Sequence, residues 1–159
     1  MTRVGFSTTK NVTSRIIRWF TKSRASHAWL LYHDWDWEMD LVMEATEGGF
    51  KLTSFERFKG ENEIVRIFEP KYPVDPGVKK LAAKLGEGYD YLGLFGMVIN
   101  VVGRWLKRKW KNPWASADKV FCSEAVAEAL KLAEYPGFNL DPTVTEPEDL
   151  LEFFEQESP

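Results

Sequence analysis

The chain has 159 residues, 21 basic and 24 acidic side chains for a net charge of −3, one cysteine and two histidines. That length suits a single domain spanning 1–159, with enough buried surface for a core that needs no staples. One cysteine excludes an intrachain disulfide scaffold, and with two histidines it falls short of the usual zinc or iron–sulfur ligand set, so no metal and no cofactor are expected.

The predicted elements describe an α+β protein. VGFS (4–7) predicts a short strand, and Val12, Ile16, Trp19 and Phe20 at helical spacing predict a helix over 12–22, with Asn11 or Thr13 as its N-cap. HAWLLYH (27–33) and LVMEAT (41–46) read as strands joined by the polar aromatic turn DWDWEMD. After a break at Gly48-Gly49, FKLTSF (50–55) and EIVRIFEP (63–70) read as further strands. Asp75-Pro76 opens a helix over 75–85, and a second helix or helical pair covers 91 to about 109. A third runs from Cys122 to Glu134, and Pro147-Glu148-Asp149 begins a short terminal helix with acidic residues in its first turn. The aromatic pairs Phe55/Phe58 and Phe153/Phe154 read as packing residues.

The N-terminal segment lacks the apolar core of a signal peptide. The longest uncharged stretch, Tyr91 to Gly103, is shorter than the roughly 20 residues a membrane span needs, so a soluble, cytoplasmic protein is expected. Charge is uneven along the chain. Arg3, Lys10, Arg15, Arg18, Lys22 and Arg24 precede the first acidic residue, and the segment from Asp141 onward is acidic with no Lys or Arg. Between them, Arg104, Trp105, Lys107, Arg108, Lys109 and Trp110 form a basic cluster interleaved with tryptophan. Solvated faces are the simplest reading of these runs. A sharper one makes that cluster a peripheral membrane contact, because Trp with Lys or Arg anchors at headgroup level. Nucleic acid is not an expected partner, since neither net charge nor motif supports it.

Few residues are left to carry chemistry. Cys122, in VFCSEAVAEAL, falls near the predicted start of a helix, where backbone N–H groups and the positive dipole end favour a thiolate and can hold an oxyanion. The alternative for Cys122 is an inert core thiol. His27 opens a strand and is the better base for such a thiol, because His33 sits beside Asp34 in a polar turn that reads as solvent exposed. A turn centred on Asp36 and Trp37 places position 27 opposite 44–46, so Glu44, acidic among apolar neighbours, shares the face of His27 and can orient its ring. A register offset by one residue would instead make Glu47 the nearest carboxylate.

The order SHAWLLY, VMEATEGG, GYDYLG, FCSEAVAEAL and TEPEDL resembles the circularly permuted papain-like hydrolases of the NlpC type, in which histidine precedes cysteine. The resemblance implies an antiparallel sheet packed against helices, with Cys122 as nucleophile, His27 as base, Glu44 as the orienting third member and Tyr89 as a substrate-binding residue. The implied activity is cleavage of an amide in a small peptide-like substrate, such as a cell-wall peptide, through an acyl-enzyme. The alternatives are a lipid-directed acyltransferase or phospholipase, and a binding module that has kept the fold without activity.

Overall fold

In the computed structural model, which describes residues 1–9, 24–46, 49–83 and 117–157, the segments rich in β-branched and aromatic side chains form one five-stranded antiparallel sheet. Its strands are β1 (Arg3–Thr9), β2 (His27–Asp34), β3 (Met39–Thr46), β4 (Gly49–Ser54) and β5 (Asn62–Phe68), in the spatial order β4-β3-β2-β1-β5. The β2–β3 pairs run from Leu30↔Met43 to Asp34↔Met39. The hairpin is therefore centred between Asp36 and Trp37, the register that the sequence required for Glu44. Local chemistry fixes this turn: Asp34 Oδ1 accepts the backbone N–H groups of Asp36 at 3.0 Å and Trp37 at 2.9 Å, and Glu38 adopts the left-handed region at φ 49°.

Because side chains alternate along a strand, the sheet carries two separate cores. Val4 and Phe6 of β1, Ala28 and Leu30 of β2, and Met43 and Ala45 of β3 form the larger one with Phe68. Two long-range helices and a terminal one complete it: α2 (Asp75–Ala82), α3 (Ala117–Leu132) and α4 (Pro147–Glu157). On the other face Trp29, Leu31 and Val42 pack with Phe58 of a short helix, α1 (Phe55–Glu61). The Trp29 indole lies directly over Gly5, where any Cβ would fall 2.3 Å from the ring, and its Nε1 donates to Ser7 Oγ at 3.1 Å.

Two elements differ from the sequence expectation. Helix α1 was not anticipated, although Ser54 precedes it, Glu56 lies in its first turn, and ion pairs at helical spacing link Lys59 to Glu56 and Arg57 to Glu61. Helix α3 starts at Ala117 instead of Cys122 and ends at Leu132 instead of Glu134. Its end is a Schellman closure, with Tyr135 N–H donating to Leu130 O, Glu134 N–H donating to Lys131 O, and Glu134 itself left-handed at φ 54°. Phe58 and Phe154 are buried, in keeping with the packing roles read from the sequence. The helices expected over 12–22 and 91–109 lie outside the described residues. At the level of class, the chain is α+β, with an antiparallel sheet and four α-helices among the described residues.

Candidate active site

The site forms where β2 begins. His27 is the first residue of that strand, and alternation directs it to the face of Trp29 and Leu31, where its ring stacks on Phe58 with centroids 6.2 Å apart. The β2–β3 register, continued beyond Leu30↔Met43, puts Glu44 opposite Trp29 and on the face of His27. Glu44 Oε2 lies 2.5 Å from His27 Nε2, and the other carboxylate oxygen, Oε1, lies 3.2 Å from Lys51 Nζ. Only 6% of the Glu44 side chain is exposed. Burial alone would push its carboxyl pKa up, but the hydrogen bond and charge of His27, followed by those of Lys51, hold it below the ordinary carboxylate value. Glu44 is thus an ionised, buried carboxylate with both oxygens partnered.

Cys122 reaches the same spot from α3, the helix on the opposite face of the sheet, and is 1% exposed. Its sulfur hydrogen-bonds His27 and receives the backbone N–H groups of Ala28 and Ser123. With His27 Nε2 committed to Glu44, Nδ1 is the ring nitrogen left for the sulfur. Burial would raise the thiol pKa, yet the His27 charge, the His27 hydrogen bond and the two backbone donors together lower it. Burial would likewise lower the imidazole pKa, but the Cys122 charge and hydrogen bond and the Glu44 carboxylate raise it to about 9. Each partner thus favours the charged form of the other, the thiolate on Cys122 and the imidazolium on His27.

The sequence reading placed Cys122 at a helix start. Since α3 begins at Ala117, the cysteine lies in its second turn, and unpaired N–H groups of a helix start are not what surrounds the sulfur. The backbone donor that reaches it from β2 is Ala28 N–H. The β2–β3 ladder begins only at Leu30, and the Ala28 donor is spent on Cys122.

His33 lies at the far end of β2, away from the sulfur. It is half-buried, contrary to the exposed setting expected of it, because its Nδ1 lies 2.9 Å from Asp40 Oδ1 and Arg3 binds the other Asp40 oxygen at 3.1 Å. Burial would raise the Asp40 pKa, but His33 and Arg3 hold it below the ordinary value. Glu47, Tyr89 and the basic cluster Arg104, Trp105, Lys107, Arg108, Lys109 and Trp110 lie outside the described residues. Sequence reasoning missed Lys51, which the β3–β4 pair Glu44↔Lys51 brings to the site, and it read Phe58 as a packing residue without placing it over the His27 ring. Among the described residues no group of three or more His, Cys, Asp and Glu side chains could hold a metal ion, and no helix is long and apolar enough to cross a membrane. No family model matches this chain, and neither a curated protein nor a solved structure matches it.

Proposed function

We propose that this protein is a cysteine hydrolase of the permuted papain-like, NlpC type that cleaves an amide bond in a small peptide-like substrate through an acyl-enzyme. The observation that carries this reading is the continuous chain Cys122–His27–Glu44, in which a depressed thiol meets a raised imidazole held by a buried carboxylate. The chain order supports it as well: the histidine strand precedes the cysteine helix, as in the permuted proteins that the sequence resembles.

The chemistry follows from that arrangement. The Cys122 thiolate attacks the amide carbonyl, forming the S–C bond while the carbonyl oxygen takes the negative charge. His27, protonated, gives its Nδ1 proton to the departing nitrogen as the C–N bond breaks, leaving a thioester. Neutral His27 then takes a proton from water, the resulting hydroxide adds to the thioester, and the Cys122 thiolate leaves. Throughout, Glu44 keeps Nε2 bonded, fixing the ring orientation and offsetting the imidazolium charge.

Intact-mass analysis after treatment with a thiol-directed acyl probe tests the reading. One adduct is expected on the wild type and none on Cys122→Ala, and short peptide amides should release amine with the wild type alone. Labelling that persists in Cys122→Ala, or a Cys122 pKa unchanged in His27→Ala, would overturn it.

A further inference from the structure

Resting on that reading of the site, we propose that Lys51 is a positioning residue: by binding Glu44 Oε1 from β4, it fixes the carboxylate so that Oε2 faces His27.

Three observations converge on this assignment. Lys51 is the direct cross-strand partner of Glu44 in the β3–β4 ladder, so the backbone register, and not a chance rotamer, delivers the ammonium to the carboxylate. The two oxygens of Glu44 are divided, with Lys51 Nζ at 3.2 Å on one and His27 Nε2 at 2.5 Å on the other. Glu44 is almost wholly buried whereas 48% of the Lys51 side chain is exposed, so the ammonium keeps part of its hydration while serving a carboxylate that has lost its own. A buried carboxylate with one oxygen unpartnered could rotate about its terminal torsion, which is broad and intrinsically soft. Two different partners on two oxygens remove that freedom.

Among the described residues, the charged groups around Glu44 come from four elements. His27 faces it from β2 and Lys51 from β4. On α1, whose Phe58 covers the His27 ring, Lys59 pairs with Glu56 and Arg57 with Glu61. From α3, Cys122 bonds the same imidazole. Among the described residues, Lys51 is therefore the cation besides the imidazolium that holds Glu44 ionised. Loss of Lys51 should loosen the carboxylate and let it take up a proton at higher pH, which removes the acceptor from His27 Nε2.

The test is the pH dependence of Cys122 alkylation by iodoacetamide in the wild type, Lys51→Met, Lys51→Arg and Glu44→Gln, alone and with Lys51→Met combined. Lys51→Met should lower the alkylation rate below neutral pH by about fivefold, the scale of a half-exposed ion pair, and move the acid limb upward in pH. Lys51→Arg, which keeps the charge, should restore the wild-type limb. In the Glu44→Gln background Lys51→Met should have no further effect, because Lys51 acts through Glu44. An acid limb for Lys51→Met that overlays the wild type, while His27→Ala still shifts it, refutes the role of Lys51 and leaves the thiol–imidazole reading standing. A wild-type profile that His27→Ala does not change refutes the reading beneath it instead.

Discussion

Replacing Glu44 with Gln keeps the shape of the side chain and removes its charge, which isolates one contribution to the His27 ion pair. The imidazole is only 14% exposed, and burial by itself would drive its pKa below the ordinary value. It rises to about 9 because two anions, Cys122 and then Glu44, overcome that penalty. A carboxylate at hydrogen-bond distance is worth about 1–3 pKa units. Since the cysteine contributes more, the share of Glu44 belongs in the lower part of that range, about 1–2 units. At 1.36 kcal/mol per unit this is about 1.4–2.7 kcal/mol of imidazolium stabilisation. NMR titration of the His27 ring reads it directly, and His33 is the only other histidine to be assigned. The midpoint should fall from about 9 in the wild type by that amount in Glu44→Gln. The sign also fixes a stability window: a raised imidazole contributes fully below its unfolded value near 6.5 and loses that contribution as pH passes through about 9, so Glu44→Gln should bring the loss to lower pH. A midpoint near 6.5 in the wild type, or one near 9 that Glu44→Gln leaves in place, would refute the coupling.

Two further outcomes test the frame that holds the site. A Cβ at Gly77 would stand 1.8 Å from the Ala129 carbonyl oxygen, so Gly77→Ala should force α2 and α3 apart and lower stability by about 1–3 kcal/mol; a thermal melt that is unchanged would mean the helices cross with room to spare. The Glu124 carboxyl on α3 is pushed up to about 7 by burial and by the charges of Glu128 and Asp141. A carboxyl raised in the folded state favours folding most below its ordinary value of 4.5 and loses that advantage as pH rises through about 7, so Glu124→Gln should melt higher than the wild type above pH 7 and converge with it in acid; parallel curves across the range would exclude the burial and repulsion described.

The site was legible where a residue type and a local register sufficed. The turn at Asp36-Trp37 carries its own signals, an aspartate able to cap two N–H groups and a hairpin of alternating strands, so the face shared by His27 and Glu44 followed from counting. The start of α3 did not follow, because Val120-Phe121 reads equally well as the end of a strand and as part of a helix, and the helix has no polar–apolar periodicity to mark where it begins. The Asp118 that precedes them, an acid suited to a first helical turn, was the available signal. Helix α1 was hidden by length: seven residues give too little periodicity to stand out, and only its flanking Ser54, the first-turn Glu56 and the ion pairs three and four residues apart mark it. Lys51 required the β3–β4 register, which a break at two glycines does not fix in sequence, and Ala28 contributes a backbone donor that no side-chain pattern encodes.

The position of His27 at the very start of β2 accounts for how its partners meet. Along a strand, a side chain belongs to one face, and here the faces have different owners: α1 covers that of Trp29 and Leu31, while α3 packs against that of Ala28 and Leu30. Glu44 and Phe58 approach the imidazole from its own face, but Cys122 arrives on the helix that covers the other one. In the middle of β2 the backbone ladder would stand between histidine and cysteine. At the strand's first residue the ladder to β3 has not yet begun, so the ring can reach around the edge of the sheet and the Ala28 N–H is directed at the sulfur. Moving the histidine two residues inward would preserve its face and its neighbouring carboxylate yet remove the thiol from reach. The end of the strand is therefore the place on this sheet where one imidazole can hold a carboxylate from one layer and a thiolate from the other.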